Sequence, residues 1–101
     1  MIAPRNFGRF ELGQTVATPG ALEVLEQAGQ TPATFLDRHH SGDWGELDDE
    51  DKRLNDEALK DGSRILSSYR TAKGVKIWII TEAADDEGNR VATTILLPEE
   101  Y

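Results

Sequence analysis

With 101 residues and no cysteine, the chain is long enough for one domain with a single core, and it excludes disulfide frameworks and thiolate metal sites. No apolar run approaches the ~20 residues of a membrane span. A net charge of −8, from 19 acids against 11 bases, opposes direct nucleic-acid binding, where Lys and Arg must neutralise phosphates.

The start, Met-Ile-Ala-Pro-Arg-Asn, lacks the apolar core of a secretory signal, so the expectation is a cytoplasmic protein with no membrane contact. The acidic balance reads either as solubility or as a surface that meets a basic partner. A single domain is expected over 1–101, with residues 1–8 as a loose terminus. Arg9–Ala17 reads as a first strand with Phe10 and Leu12 on one side, weakened or bulged at Gly13.

Thr18-Pro19 is a helix start, a hydroxyl cap before a first-turn proline. Ala21, Leu22, Val24, Leu25 and Ala28 then form an apolar stripe that Gly29 closes. Thr31-Pro32 repeats the device. Pro32, Phe35, Leu36 and His39 share one face of a second short helix, ended by Ser41-Gly42. Asp43-Trp44-Gly45 is a loop. Asp48 caps a third helix, whose stripe is thin: Leu54, Ala58 and Leu59, with Asn55 beside them. Asp61-Gly62 closes it.

Three strands follow. Arg64–Arg70 alternates, Thr71-Ala72-Lys73-Gly74 is a hairpin loop, and Val75–Thr81 is the most apolar run of the chain. Alternation puts Val75, Ile77, Ile79 and Thr81 on one face and Lys76, Trp78, Ile80 and Glu82 on the other. A polar turn at Asp85–Asn89 leads to Val91–Leu97, which Pro98 ends. The expected fold class is α+β, in the order β-α-α-α-β-β-β. Short N-terminal helices would pack on a three- to four-stranded antiparallel meander, with Val75–Thr81 in the middle. Trp78 and Ile80 lie on the less covered face, which makes Trp78 an interface candidate.

Candidate chemistry is sparse. His39 and His40 are the only histidines, and adjacent helical residues diverge by ~100°, so they cannot chelate one metal. His39 continues an apolar stripe, as a hydrogen-bonded core histidine would. Its functional reading is a general acid or base with Ser67, Tyr69 or Thr81 in the same cleft. No Gly-x-Ser-x-Gly elbow and no phosphate-binding glycine loop is present, and no cofactor or metal is expected. Asp43–Asp61 is strongly acidic but lacks the glycine and terminal glutamate spacing of a calcium loop. Asp49, Glu50, Asp56 and Glu57 read either as a solvated helix face or as a surface for a basic partner, with Trp44 as aromatic anchor or as a core side chain.

Thr-Pro-Gly-Ala-Leu at 18–22, Gly-Asp-Trp-Gly at 42–45, Ser-Ser-Tyr at 67–69, Lys-Ile-Trp-Ile-Ile-Thr-Glu at 76–82 and Thr-Thr-Ile-Leu-Leu-Pro-Glu-Glu-Tyr at 93–101 resemble a family of small bacterial proteins labelled "plasmid-related". The likeness runs from about Phe10 to the C-terminus and departs at Ala84–Asn89, where family members have a shorter turn. It implies a cytoplasmic protein carried on plasmids, phages or integrated elements, and it supplies no catalytic residues. The helix-then-sheet order also resembles the barnase/RelE-like ribonucleases, an architectural analogy that carries little functional weight.

Two functions are therefore expected. The first is an acidic protein from a mobile element that engages a host or element-encoded protein with a basic surface, as an antagonist of restriction or CRISPR defence. Its binding residues would be Trp44, Asp49, Glu50, Asp56, Glu57 and Trp78. The alternative is a metal-independent ribonuclease or toxin-like enzyme using His39, Tyr69 and Thr81. A homodimer through an uncovered sheet edge is a third expectation.

Overall fold

Helix caps written in the sequence set the first half of the chain. In the computed structural model, which describes residues 9–101, Thr18 caps α1 (Pro19–Gln27), its side chain accepting from the Ala21 amide. Thr31 precedes α2 (Pro32–Ser41) in extended backbone, without a side-chain cap bond. Asp48 caps α3 (Asp49–Asp61) by accepting from the Asp51 amide. Three further strands follow: β2 (Ile65–Arg70), β3 (Lys76–Thr81) and β4 (Ala92–Leu96), then a 3-10 turn at Pro98–Glu100. The chain is α+β, as expected.

The sheet is mixed, which corrects the expected antiparallel meander. β2, β3 and β4 do pair antiparallel, with β3 in the middle, but β1 (Gln14–Ala17) adds to β4 in parallel, giving the order β1-β4-β3-β2. Alternation marks faces and says nothing of direction; only the hairpin turns fixed that, and β1 has none. The first strand is also shorter than expected. Gly13 turns the chain at φ 65°, and a Cβ there would lie 2.4 Å from the Arg90 carbonyl oxygen, so pairing begins only after it. Phe10 and Leu12 lie outside the strand.

Two clusters form the interior. Ala21 and Leu25 of α1 and Phe35 of α2 pack on Tyr69, Ile77, Ile79 and Ile95, so the first two helices cover the expected face of the sheet. Trp44, Ala58 and Ile65 form a second cluster, joined by the partly buried Phe10, Leu47 and Leu59. Val75 departs from expectation: it sits in the loop before β3 and is exposed. In α3 the expected stripe is rotated by one residue, because Leu54 is exposed while Asn55 is buried beside Ala58.

Asn55 explains that rotation. Its side-chain amide donates to the Leu66 carbonyl (2.6 Å) and its oxygen accepts from the Leu66 amide (3.3 Å), as a neighbouring strand would. In the loop before α3, the Trp44 carbonyl and the Glu46 amide bond Ser68 in the same way. The outer edge of β2 is thereby closed by side chain and loop.

The opposite face of the sheet carries Leu66, Ser68, Trp78, Ile80 and Leu96. Ile80 and Leu96 are buried, and Trp78 is half-buried with its ring edge-on to Tyr101 at 5.8 Å. Tyr101 follows the 3-10 turn, which Glu100 anchors by accepting from Thr18 (2.6 Å) and the Leu97 amide (2.8 Å).

Candidate functional site

The last turn of α2 places His39 directly on the sheet, where it is wholly buried. Its Nδ1 lies 2.5 Å from Ser67 Oγ on β2, and its Nε2 lies 2.8 Å from Thr81 Oγ1 on β3. Thr81 continues to Thr93 Oγ1 on β4 (2.7 Å), and Thr93 donates to the Leu12 carbonyl (2.7 Å). The end of this relay fixes its direction. Because Thr93 must donate to Leu12, it accepts from Thr81, and Thr81 accepts from His39 Nε2–H. Nδ1 is then the unprotonated nitrogen and accepts from the Ser67 hydroxyl.

A neutral imidazole is also what the surroundings favour. Burial, with a smaller contribution from His40 beside it, lowers the His39 pKa from 6.5 to about 3. Phe10 lies edge-on at 5.1 Å and Trp44 at 6.0 Å, closing the ring in. Phe10 is itself fixed by its carbonyl, within 2.8 Å of His40 Nε2, and by the Arg9 amide donating to the His40 carbonyl (2.8 Å).

The structure thus unites His39 with Ser67 and Thr81, as the enzymatic reading requires, but all three are at 0% exposure. A general base must come within hydrogen-bond reach of its substrate, and here every polar atom of the imidazole already has a protein partner. Tyr69 stands beside the relay, near Ser67, and bonds neither His39 nor Thr81. Its hydroxyl donates to the Asp43 carbonyl (2.5 Å), and burial raises its pKa. Arg38 lies over the Tyr69 ring at 4.7 Å and pairs with Asp43 at 2.7 Å, which holds that carboxyl below its usual value. What this cluster does chemically is fasten α2 and the following loop to three strands.

Trp44 turns inward. It is buried, and its Nε1 donates to Asp56 Oδ1 at 3.0 Å, so it belongs to the core and is not offered as an anchor to a partner. The four acids of the expected surface separate accordingly. Asp56 is the acceptor of the Trp44 indole, and Glu50 and Glu57 flank Arg53 one turn either side. Asp49 stays exposed in the first turn, with Glu50 and Asp51.

Beside that turn lies a half-open groove of about 260 Å³ between α3 and the outer side of β2, lined by Leu47, Asp51, Leu54, Asn55, Arg64 and Leu66. Leu54 is 50% exposed at its wall. Arg64 Nη1 donates to the Tyr101 hydroxyl (2.5 Å), and Asn55 is fully engaged by Leu66. The Asp51 carboxylate has no hydrogen-bond or salt-bridge partner among the described residues, while its backbone amide is engaged by the Asp48 cap. Sequence reasoning missed this groove. The apolar stripe places Leu54 in the core, and the signal against that is Asn55, a polar residue at helical spacing from Ala58.

Among the described residues no group of three or more His, Cys, Asp or Glu is placed to hold a metal ion, and no helix is long and apolar enough to cross a membrane. Comparison with protein families, with curated proteins and with solved structures finds no match.

Proposed function

We propose that the chain is a small acidic binding protein that grips a partner through the groove between α3 and β2. The observation that carries this reading is the groove's lining: three leucines, Leu47, Leu54 and Leu66, with Asp51, whose carboxylate has no partner among the described residues, while Arg64 is engaged by Tyr101. Such a surface suits a segment with an apolar side chain next to a Lys or Arg. The exposed acids Asp49 and Glu50 add attraction for a basic surface and speed its encounter. Proteins that handle nucleic acid present basic surfaces of this kind. The resemblance to plasmid-related proteins supplies the setting, a mobile element whose product occupies a host restriction or CRISPR-type protein by direct contact.

The test uses the full chain, tagged and cross-linked in bacterial cells. The comparison is a double variant, Asp51→Lys with Leu54→Asp, whose two side chains are exposed and so leave the fold intact by circular dichroism. Cross-links from the groove to a saturable partner are expected, with binding weakened at least about tenfold in the variant. Unchanged binding would overturn the proposal. So would RNA cleavage by the chain that His39→Ala abolishes, which would assign the activity to the buried cluster instead.

A further inference from the structure

The two edges of the sheet are treated differently. The β2 edge is closed by Asn55 and by the Trp44–Glu46 loop, whereas among the described residues β1 has β4 on one side and no strand on the other. The ladder fixes which groups face outward. Gln14 donates to the Val91 carbonyl and Thr18 to the Ile95 carbonyl, so residues 14, 16 and 18 point their backbone groups at β4. Thr15 and Ala17 therefore point theirs away from the sheet. Among the described residues nothing bonds these two amides and two carbonyls.

The geometry points to a second copy of this chain as the partner of that edge, joined antiparallel about a twofold axis at Val16. The four outward groups are self-complementary in that register. Thr15 of one copy exchanges both bonds with Ala17 of the other, Ala17 does the same with Thr15, and Val16 faces Val16 as a close non-hydrogen-bonded pair. Val16 is 44% exposed, and this pairing covers it.

Charge also selects this occupant. In a chain of net charge −8, the strand Gln-Thr-Val-Ala carries no charge at all, so two copies meet along β1 without like charges opposed. Neither of the side-chain devices that blunt an edge, a lysine or a proline, stands on its four residues, and its shortness alone limits how far the pairing can run. Four residues a side is few against the roughly 20 to 30 of a standard interface, so the dimer is concentration-dependent. Its formation is independent of the groove.

Sedimentation equilibrium on the full chain tests this over a dilution series, with Val16→Lys as the variant. The expected result is a reversible monomer–dimer equilibrium that strengthens with added salt, as the repulsion between two acidic chains is screened. Val16→Lys should shift the dissociation constant at least about tenfold upward, with circular dichroism unchanged. A strictly monomeric chain, a dimer indifferent to Val16→Lys, or one weakened by salt would each overturn the proposal. If the variant does not fold, amide exchange of the wild type decides: Thr15 and Ala17 should be protected increasingly with concentration, and concentration-independent exchange there refutes the pairing.

Discussion

His39 Nδ1 and Ser67 Oγ lie 2.5 Å apart, both side chains wholly buried, and the imidazole accepts while the serine donates. That direction holds only for a neutral ring. On unfolding, the imidazole returns to its ordinary pKa of 6.5, whereas in the fold burial holds it to about 3. Between those values the unfolded chain binds one more proton, so stability is full above 6.5 and falls as the pH drops. The slope approaches about 1.4 kcal/mol per pH unit. Asp43 and Glu100, held low by Arg38 and Thr18, add their own loss only in the carboxylate range. Urea unfolding at pH 7, 6 and 5 should show the decline, and His39→Gln should remove most of it. A wild-type stability flat between pH 7 and 5 would refute the neutral buried imidazole.

Thr81 sits in the middle of the relay, accepting from His39 and donating to Thr93. Thr81→Val keeps the shape but leaves the His39 Nε2–H without an acceptor, at 0% exposure. Orphaning a buried donor costs about 1–3 kcal/mol. The loss should appear in the urea midpoint with an unchanged denaturant slope, since the surface exposed on unfolding is the same. A neutral substitution would mean that the ring finds another acceptor.

Local signals in the sequence carried most of the fold. The Thr-Pro pairs, Asp48 and the Ile77–Ile79 alternation act within a few residues; both pairs open helices where expected, but only Thr18 caps through its hydroxyl and Thr31 does not. His39 was legible too, because a histidine on an apolar stripe must find buried partners, and Ser67 and Thr81 were on the matching face. What escaped were pairings between distant segments. The parallel contact of Val16 with Thr94 leaves no trace in either strand's pattern. Asn55 looked like a polar neighbour of the stripe until β2 stood beside it. Trp44 was ambiguous for the same reason, since its indole partner, Asp56, is named only by the packing of α3.

Trp44 should therefore behave as a core residue. Trp44→Ala is expected to cost about 3–5 kcal/mol, as large-to-small core changes do. Trp44→Phe keeps most of the ring and loses the bond to Asp56, so its cost should be nearer about 1 kcal/mol. Urea unfolding of the two variants gives the comparison. The folded Trp44→Phe protein should also bind its partner as the wild type does. A stable Trp44→Ala protein that has lost only binding would return Trp44 to the surface.

Arg90 is buried in the polar turn before β4 and reaches three carbonyls: Ser63 (2.7 Å), Glu82 (3.0 Å) and Ala58 in the last turn of α3 (2.9 Å). Burial lowers its pKa, but the helix C-terminus favours a cation there. A lysine offers a point charge in place of this planar fork and cannot reach all three acceptors. Arg90→Lys should lose about 1.5–3 kcal/mol, and Arg90→Met at least as much because no donor remains. If Arg90→Met were as stable as the wild type, the carbonyls would have to be satisfied by water.

Gly45 and Gly88 separate two costs that a positive φ usually combines. Both lie in the left-handed region, at 75° and 84°. At Gly88 an added Cβ meets nothing within 4 Å, so Gly88→Ala should lose only the conformational preference, about 1 kcal/mol. At Gly45 the same Cβ would lie 2.0 Å from the Ser68 carbonyl oxygen and 2.7 Å from the Tyr69 ring. Neither can yield. Ser68 is held by the Glu46 amide, and the Tyr69 hydroxyl by Asp43. Gly45→Ala should then displace the loop from the β2 edge and cost more than about 3 kcal/mol, a value reserved for changes that break packing. Thermal and urea unfolding of the two alanine variants test the contrast directly. Equal losses at the two sites would show that backbone conformation alone, and not the close approach to β2, demands glycine at position 45.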